Sequence, residues 1–168
     1  MDRYVILIGM MGSGKSTVGR LLADTLEIPF MDTDNMLSNR LGRPVSQLFH
    51  LYGEVAFRQH ETNLLKSIEP QAGILATGGG IVTRSENWVE LKRIGTTVFL
   101  DVDSEIVKAR LARSKRKRPL LQTEDWEDRF ETILETRREL YMQAEHRIHV
   151  VADDFDAVVA LIRKELNL

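Results

Sequence analysis

The sequence predicts an α/β fold of three layers, in which a five-stranded parallel sheet is flanked by helices. Short apolar runs of buried-strand character alternate along the chain with segments of helical periodicity, an alternation typical of parallel sheets with helical crossovers. The chain has 168 residues, of which 43% are hydrophobic. A chain of this length is expected to form one domain with a substantial core, covering residues 1–168.

Five segments predict the strands, because each is short, largely apolar and bounded by turn residues. The first, YVILI, is a continuous β-rich run followed by glycines, and the third ends at a triple glycine. The predicted strands are Tyr4–Ile8, Phe30–Asp32, Ile74–Thr77, Thr96–Val102 and Ile148–Val151.

Helices are predicted where apolar residues recur at three- and four-residue spacing. In the first of them Val18, Leu22 and Leu26 share one face, and Pro29 ends the unit. Gly42 separates two of the later helices. The predicted helices cover residues 15–26, 35–41, 45–51, 54–68, 86–93, 104–114 and 125–145. A further helix is predicted after the fifth strand and ends near Leu166.

Composition and charge exclude several classes of protein. Lys plus Arg number 23 and Asp plus Glu 25, giving a net charge of −2, which argues against a nucleic-acid surface spread over the chain. There is no cysteine, so disulfides and thiolate metal ligands are excluded. The apolar stretch VILIGMMG is shorter than the roughly 20 residues that span a bilayer. We therefore expect a cytoplasmic monomer without nucleic-acid or membrane partners.

The most specific motif is GMMGSGKS, which matches G-x-x-x-x-G-K-[ST] in full and lies between a predicted strand and a predicted helix. The backbone N–H groups of such a loop and the helix N-terminus behind it favour phosphate groups. Lys15 is expected to reach the β- and γ-phosphates, and the Ser16 hydroxyl to coordinate Mg²⁺. The expected nucleotide-binding residues are Gly12, Ser13, Gly14, Lys15, Ser16 and Thr17.

Two carboxylates follow the second predicted strand. Asp32 and Asp34 lie two residues apart, at the carboxyl end of a strand, where ligands bind in open α/β sheets. A carboxylate there could hold a Mg²⁺-bound water or accept a proton from an alcohol. The alternative is a helix N-cap, for which aspartate is favoured. Both roles can coexist in one pair.

Arginines and glycines form the remaining candidate sites. Arg58 lies in GEVAFRQHE and Arg137 begins RRELY; each side chain offers a rigid fork suited to a carboxylate or phosphate, although a solvated surface arginine is the ordinary alternative. The glycines of ATGGG, which include Gly79 and Gly80, leave backbone N–H groups open to a ligand.

Positive charge is concentrated in one segment, since residues 106–118 hold seven basic residues and no acidic one. Such a segment can form a charge clamp over phosphates. A local nucleic-acid patch or a solvated helix end is the alternative reading of the same charges.

Taken together, these motifs resemble those of the shikimate kinases, small P-loop kinases related in fold to the nucleoside monophosphate kinases. GMMGSGKST, DTD, GEVAFRQHE, ATGGG, RPLL and R-x-x-L-Y occur in the family order and at family-like separations, and the resemblance covers essentially the whole chain. It implies transfer of the γ-phosphoryl group of ATP to the 3-hydroxyl of shikimate, in chorismate and aromatic amino acid biosynthesis. It also implies a substrate-binding insert near residues 33–61 and a lid near 112–124.

The resemblance also implies roles for individual residues. Catalytic roles fall to Lys15, Asp34 and Arg118, with Arg118 closing from the lid onto the ATP phosphates. The implied metal ligands are Ser16 and, through water, Asp32. The implied shikimate-binding residues are Asp34, Arg58, Gly79, Gly80 and Arg137.

Two departures from the family pattern stand out. Glu139 replaces the proline that commonly precedes the L-Y pair, and Phe155 stands where a polar or basic residue often contacts adenine. Arg110, Arg113 and Phe155 are therefore all candidates for the adenine contact. A kinase of another small hydroxy acid, such as gluconate, is the alternative enzyme, and a nucleotide-binding module without catalysis is the alternative outside enzymes.

Overall fold

A parallel sheet of five strands forms the centre of the fold in the computed structural model, which describes residues 2–114 and 119–168. The strand order is β2-β3-β1-β4-β5, and every neighbouring pair is parallel. The predicted α/β class and five-stranded parallel sheet are therefore confirmed. The strands are β1 (Tyr4–Ile8), β2 (Phe30–Asp32), β3 (Gly73–Ala76), β4 (Gly95–Val102) and β5 (His146–Val150).

Helices connect the strands and flank the sheet. They are α1 (Lys15–Leu26), α2 (Thr33–Leu41), α3 (Val45–Ser67), α4 (Ser85–Ile94), α5 (Ser104–Arg113), α6 (Trp126–Tyr141) and α7 (Phe155–Leu166). Two short 3-10 turns, Ile81–Thr83 and Pro119–Leu121, were not anticipated from the sequence. No helix in the described ranges combines the length and the apolar character needed to cross a membrane.

β1 is the central strand and lies between β3 and β4. All five of its residues are buried, as expected for a strand that is covered by helices on both faces. The chain passes from β1 through α1 to β2 on one side of β1, and it later crosses from β3 through α4 to β4 on the other side. A crevice therefore opens beyond the carboxyl end of β1. The glycine-rich loop between β1 and α1 lies at this edge, as do Asp32 at the end of β2 and Thr77 after β3.

The element boundaries differ from the prediction in ways that have local causes. The helices predicted over 45–51 and 54–68 form one element, α3, which is kinked at Gly53, where φ is 74° and ψ is 171°. α2 begins at Thr33 rather than residue 35 because the Asp32 side chain accepts hydrogen bonds from the first turn. β5 begins at His146, which pairs with Val98 of β4.

Candidate active site

Two cavities lie side by side at the carboxyl edge of the sheet. The first, of about 460 Å³, is bordered by α2, α3, α6 and the loop after β3, and we call it the arginine cavity after Arg58 and Arg137 in its wall. The second, of about 310 Å³, is bordered by the glycine-rich loop and the start of α1, and we call it the phosphate-loop cavity. Both are bordered by Met11, Asp34, Gly78 and Gly79. Groups bound in the two cavities would therefore meet at this shared wall.

The phosphate loop has the backbone that its sequence requires. Gly12 and Gly14 have φ of 80° and 90°, a left-handed conformation that disfavours residues with a Cβ. Lys15 is buried, and its Nζ donates to the carbonyl oxygens of Gly9 and Met10 at 2.8 Å each. Ser13 Oγ accepts a third bond from Lys15 Nζ at 3.3 Å. The loop thus concentrates one ammonium charge and the α1 N-terminus at one point, which favours an anion.

Asp32 joins β2 to the phosphate loop and also caps α2. Its Oδ2 accepts a hydrogen bond from Ser16 Oγ at 2.5 Å. Its Oδ1 accepts from the backbone N–H groups of Asp34 and Asn35 at 2.9 and 3.3 Å. The N-cap interpretation therefore applies to Asp32, whose second oxygen faces the serine of the loop.

A hydroxyl and a carboxylate in this arrangement fit Mg²⁺. The ion binds oxygen ligands, usually one or two from protein together with phosphates and waters, rather than a cage made entirely of protein. Ser16 and Asp32 supply one oxygen of each kind beside the phosphate loop. Consistent with that mode, no cluster of three or more acidic or histidine side chains suited to a metal occurs in the described residues.

Asp34 is the charged side chain common to both cavities. It lies in the first turn of α2, two residues after the capping residue. A carboxylate on the shared wall is placed to orient a hydroxyl in one cavity toward a phosphate in the other.

Arg58 is buried in the wall of the arginine cavity between two carboxylates. Its Nη1 donates to Glu61 Oε2 at 2.7 Å, and its Nη2 donates to Glu54 Oε1 at 3.1 Å. Burial lowers the pKa of Arg58, but the charges and hydrogen bonds of Glu61 and Glu54 outweigh it, so the pKa is raised and the guanidinium stays charged. The solvated-arginine alternative is wrong for this residue.

Glu61 is the most deeply buried acid in the cavity wall, with a side chain 1% exposed. Burial raises the pKa of its carboxyl above the ordinary value, against the opposing effect of Arg58, and the nearby Asp34 carboxylate adds to the rise. Glu61 Oε1 has no hydrogen-bond partner in the described part of the chain. The wall therefore holds two arginines and two acids, Asp34 and Glu61, and Glu61 is the acid that is engaged by Arg58.

Arg137 supplies the second guanidinium of this wall from α6. It is buried, and its Nη1 has no hydrogen-bond partner among the described residues. Since it borders the arginine cavity, an anionic group there could supply the missing partner. The surface-arginine alternative is wrong for Arg137 as well.

The glycine triplet lets the chain pass close to Arg58. A Cβ on Gly80 would lie 2.2 Å from Arg58 Cζ, so any side chain there would push the guanidinium out of place. Gly79 and Gly80 both border the arginine cavity. Their backbone polar groups can therefore approach a ligand that the arginines bind.

The far end of the phosphate-loop cavity is formed by Arg110 and Phe155. Arg110 Cζ lies 4.5 Å from the Phe155 ring centroid, and Arg110 also donates to Asp153 and to the carbonyl oxygen of Ser13. Arg113 does not border the cavity; its exposed side chain faces Asp153 at 3.5 Å.

Most of the predicted site residues are thus brought together. Ser13 does not border the phosphate-loop cavity, and it accepts the hydrogen bond from Lys15. Asp32 does not border this cavity either, but it accepts a hydrogen bond from Ser16, which does. Arg118 lies outside the described residues, and so do Lys115, Arg116 and Lys117 of the same basic segment. Of the predicted nucleotide-binding residues, those that border the phosphate-loop cavity are Gly12, Gly14, Lys15, Ser16 and Thr17, and the predicted catalytic residue Asp34 borders it too.

Sequence reasoning missed the residues that support the arginines. Glu61 lies three positions after Arg58 on a helix, a spacing that brings side chains together and could have signalled the pair. Tyr141 ends the R-x-x-L-Y motif, but nothing in that motif indicated that its hydroxyl donates to the Gly79 carbonyl at 2.6 Å. Its partner is 62 residues away in the chain, and only the packing of α6 against the sheet brings the two together.

Comparisons with known proteins agree on one family. A sequence model of the family described as shikimate kinase matches residues 11–167. The shikimate kinase of Trichormus variabilis is 44% identical over 155 residues, which cover 92% of this chain and 84% of the relative. The solved shikimate kinase of Acinetobacter baumannii in complex with shikimate has a TM-score of 0.90 and 35% identity, covering 99% of this chain and 94% of that one.

More distant structures share the fold alone. A gluconokinase from Sinorhizobium meliloti has a TM-score of 0.53 at 19% identity, over 99% of this chain and 96% of that one. At this identity, the likeness gives the arrangement of sheet and helices and carries no information about the acceptor.

The two acids that hold Arg58 should differ in their contribution to stability. We expect Glu61→Gln to lower the free energy of unfolding by about 3 kcal/mol, because it leaves a buried guanidinium without its buried partner. Glu54→Gln removes a partner whose side chain is 49% exposed, and should cost less than about 1 kcal/mol. Urea unfolding of both variants at pH 7 measures the difference; equal losses would contradict this account of the wall.

Proposed function

The chain belongs to the shikimate kinase family of ATP-dependent phosphotransferases, and we propose that it transfers the γ-phosphoryl group of ATP to the 3-hydroxyl of shikimate. The products would be ADP and shikimate 3-phosphate. The observation that carries the proposal is the pair of adjoining cavities, one with a phosphate loop and one with two buried arginines, which share Asp34 in their common wall. Phosphoryl transfer requires this kind of side-by-side placement of donor and acceptor.

On the donor side, we assign the phosphates of ATP to Lys15 and to the backbone of the phosphate loop. Lys15 Nζ is already directed to the loop carbonyls of Gly9 and Met10, so a short movement would bring its charge to a phosphate. Ser16 and Asp32 would hold Mg²⁺, Asp32 through a water. When bound, the ion supplies charge neutralisation at the phosphates.

On the acceptor side, we assign the carboxylate of shikimate to Arg58 and Arg137. Both guanidiniums are buried in one wall, and a carboxylate matches their fork geometry. Gly79 and Gly80 would add backbone contacts from the adjoining loop. Because all these groups are held before the substrate arrives, little rearrangement would be needed to fix the ring in one orientation.

Asp34 has the central role in the proposed reaction. With the carboxylate of shikimate held by the arginines, the ring hydroxyls would point toward the shared wall, where Asp34 lies. Asp34 would orient the attacking hydroxyl and accept its proton as the bond to phosphorus forms.

For the base of ATP we propose Arg110 and Phe155 in place of Arg113. The two side chains already stack, and both border the phosphate-loop cavity. A guanidinium plane and an aromatic ring bind any base through its π-face. Arg113 is directed to Asp153 outside the cavity. Recognition by stacking would make the enzyme tolerant of purine bases other than adenine.

The remaining parts of the proposal rest on the family likeness and on composition. We retain one kinase domain with an insert at residues 33–61 and a lid at 112–124, from which Arg118 would contact the phosphates. We also retain a monomer without nucleic-acid or membrane partners, in agreement with the net charge of −2. ATP is a cytoplasmic metabolite, so a cytoplasmic location suits the reaction.

The direct test is ADP release with ATP and Mg²⁺, in which shikimate is compared with gluconate, a nucleoside monophosphate and no acceptor. We expect turnover with shikimate alone. Turnover with gluconate would favour the alternative hydroxy-acid kinase, and tight ATP binding without turnover on any acceptor would favour a nucleotide-binding module.

Asp34→Asn should separate catalysis from nucleotide binding. We expect kcat to fall by at least about 100-fold, because the amide is a far weaker proton acceptor than the carboxylate. The Kd for ATP, measured by calorimetry, should stay at the wild-type value. Asp24→Asn on the exposed side of α1 is the matched control and should leave both quantities unchanged. Full activity of Asp34→Asn would remove Asp34 from the reaction.

Arg58→Lys should weaken shikimate binding while the charge beside Glu61 is retained. We expect the KM for shikimate to rise about 30-fold, the cost of losing roughly 2 kcal/mol of charge-assisted hydrogen bonding. The KM for ATP should not change. Arg84→Lys, at an arginine that lies outside both cavities, is the control. An unaltered KM for shikimate would place its carboxylate elsewhere.

A further inference from the structure

Tyr141 is a fully buried side chain directly behind the wall of the arginine cavity. It is the last residue of α6, and its ring stacks on Phe99 of β4 with centroids 5.1 Å apart and planes 21° apart. Packing against the sheet therefore fixes where the phenol ring lies. Tyr141 does not itself border the cavity.

The hydroxyl of this ring holds the glycine triplet. It donates to the carbonyl oxygen of Gly79 at 2.6 Å, and Met10 Sδ lies 3.9 Å from the same oxygen atom of Tyr141. Gly79 borders both cavities, and its backbone passes close to Met11 of the phosphate loop, since a Cβ there would lie 3.0 Å from Met11 N. One hydroxyl thus secures the peptide that separates the two cavities.

The direction of the Gly79 carbonyl determines the direction of the next N–H. The described residues contain no cis peptide bond, and in a trans peptide the C=O and the following N–H point in opposite directions. A Gly79 carbonyl held toward Tyr141 therefore turns the Gly80 N–H away from Tyr141. Among the described residues, none accepts a hydrogen bond from that N–H, which leaves it available to a ligand in the arginine cavity.

From this geometry we infer that Tyr141 is a positioning residue for the acceptor: its hydroxyl fixes the Gly79 carbonyl and so aims the Gly80 N–H at the bound carboxylate. Glycines have the most conformational freedom of all residues, so an unsupported Gly-Gly-Gly segment would sample many orientations. The hydrogen bond from Tyr141 selects one of them before the substrate arrives.

The same tyrosine is next to one of the two arginines. Arg137 lies four residues earlier on α6, hence on the same helix face. Burial raises the pKa of the Tyr141 hydroxyl above its ordinary value, against the opposing effect of the Arg137 charge, so the phenol stays protonated as a donor. Tyr141 therefore keeps the Arg137 guanidinium on α6 and the Gly80 N–H after β3 at a fixed distance from each other. Two donors held in this way can each bind one oxygen of the same carboxylate.

This inference rests on the proposed function, so the wild-type protein is assayed first with shikimate. Absence of turnover would contradict the proposed function itself. With an active wild type, Tyr141→Phe removes the hydroxyl but keeps the ring on Phe99. We expect the KM for shikimate to rise about tenfold, while kcat and the KM for ATP change less than about twofold, since a binding contact rather than a transition-state contact is lost.

Tyr4→Phe is the matched control. Tyr4 is also a buried tyrosine, and its hydroxyl is hydrogen-bonded to Met31 and Gln71 at the opposite edge of the sheet. Loss of this hydroxyl should lower the unfolding temperature without altering the KM for shikimate. An equal rise in that KM for both variants, or an unchanged KM in Tyr141→Phe, would overturn the inference.

A spectroscopic measurement keeps the inference testable if Tyr141→Phe does not fold. The chain has three tyrosines, so labelling the otherwise unmodified protein with 3-fluorotyrosine gives three ¹⁹F resonances, which Tyr4→Phe and the exposed Tyr52→Phe assign by elimination. We expect shikimate to shift the resonance of Tyr141 and leave that of Tyr4 in place. A Tyr141 resonance that does not respond to saturating shikimate would overturn the proposed role.

Discussion

The burial of two guanidinium groups in one cavity wall is the constraint on which the acceptor site depends. A buried cation is costly unless it is paired, and the two arginines differ in how far they are paired. Arg58 is paired with Glu61 and Glu54 on its own helix. Arg137 retains a buried nitrogen without a partner in the described residues. The ion pairs of Arg58 stabilise the wall. The unpartnered nitrogen of Arg137 leaves a donor for an anion.

The sheet brings this wall to the phosphate loop. In a parallel sheet, every strand delivers its following loop to the same edge, so β1, β2 and β3 place the phosphate loop, Asp32 and the glycine triplet next to one another. Asp32 couples two of these loops, because it bonds Ser16 with one oxygen and caps α2 with the other. The start of α2, and with it Asp34, is consequently fixed relative to the phosphate loop.

Motifs that depend on local backbone could be predicted from the sequence, and contacts between distant segments could not. The phosphate loop, the strands and the capping role of Asp32 depend on residues a few positions apart. The hydrogen bond from Tyr141 to Gly79 instead depends on how α6 packs, which no local pattern determines. The kink at Gly53 lies between the two cases. Separate helices were predicted on either side of this residue, and only the fold shows that they continue as one element.

A fold alone does not determine which acceptor a kinase takes, since one fold can serve different substrates. In the proposed reaction, the groups that select the acceptor come from α3, α6 and the turn after β3. These elements are held together by side-chain contacts: Arg58 with Glu61, Gly80 against Arg58, and Tyr141 with Gly79. In two of these contacts, Arg58 with Glu61 and Gly79 with Tyr141, a residue assigned to the acceptor is held by one that is not. Changing the acceptor would therefore require changes in the supporting residues as well as in the arginines, because the supporting residues fix where the binding groups lie.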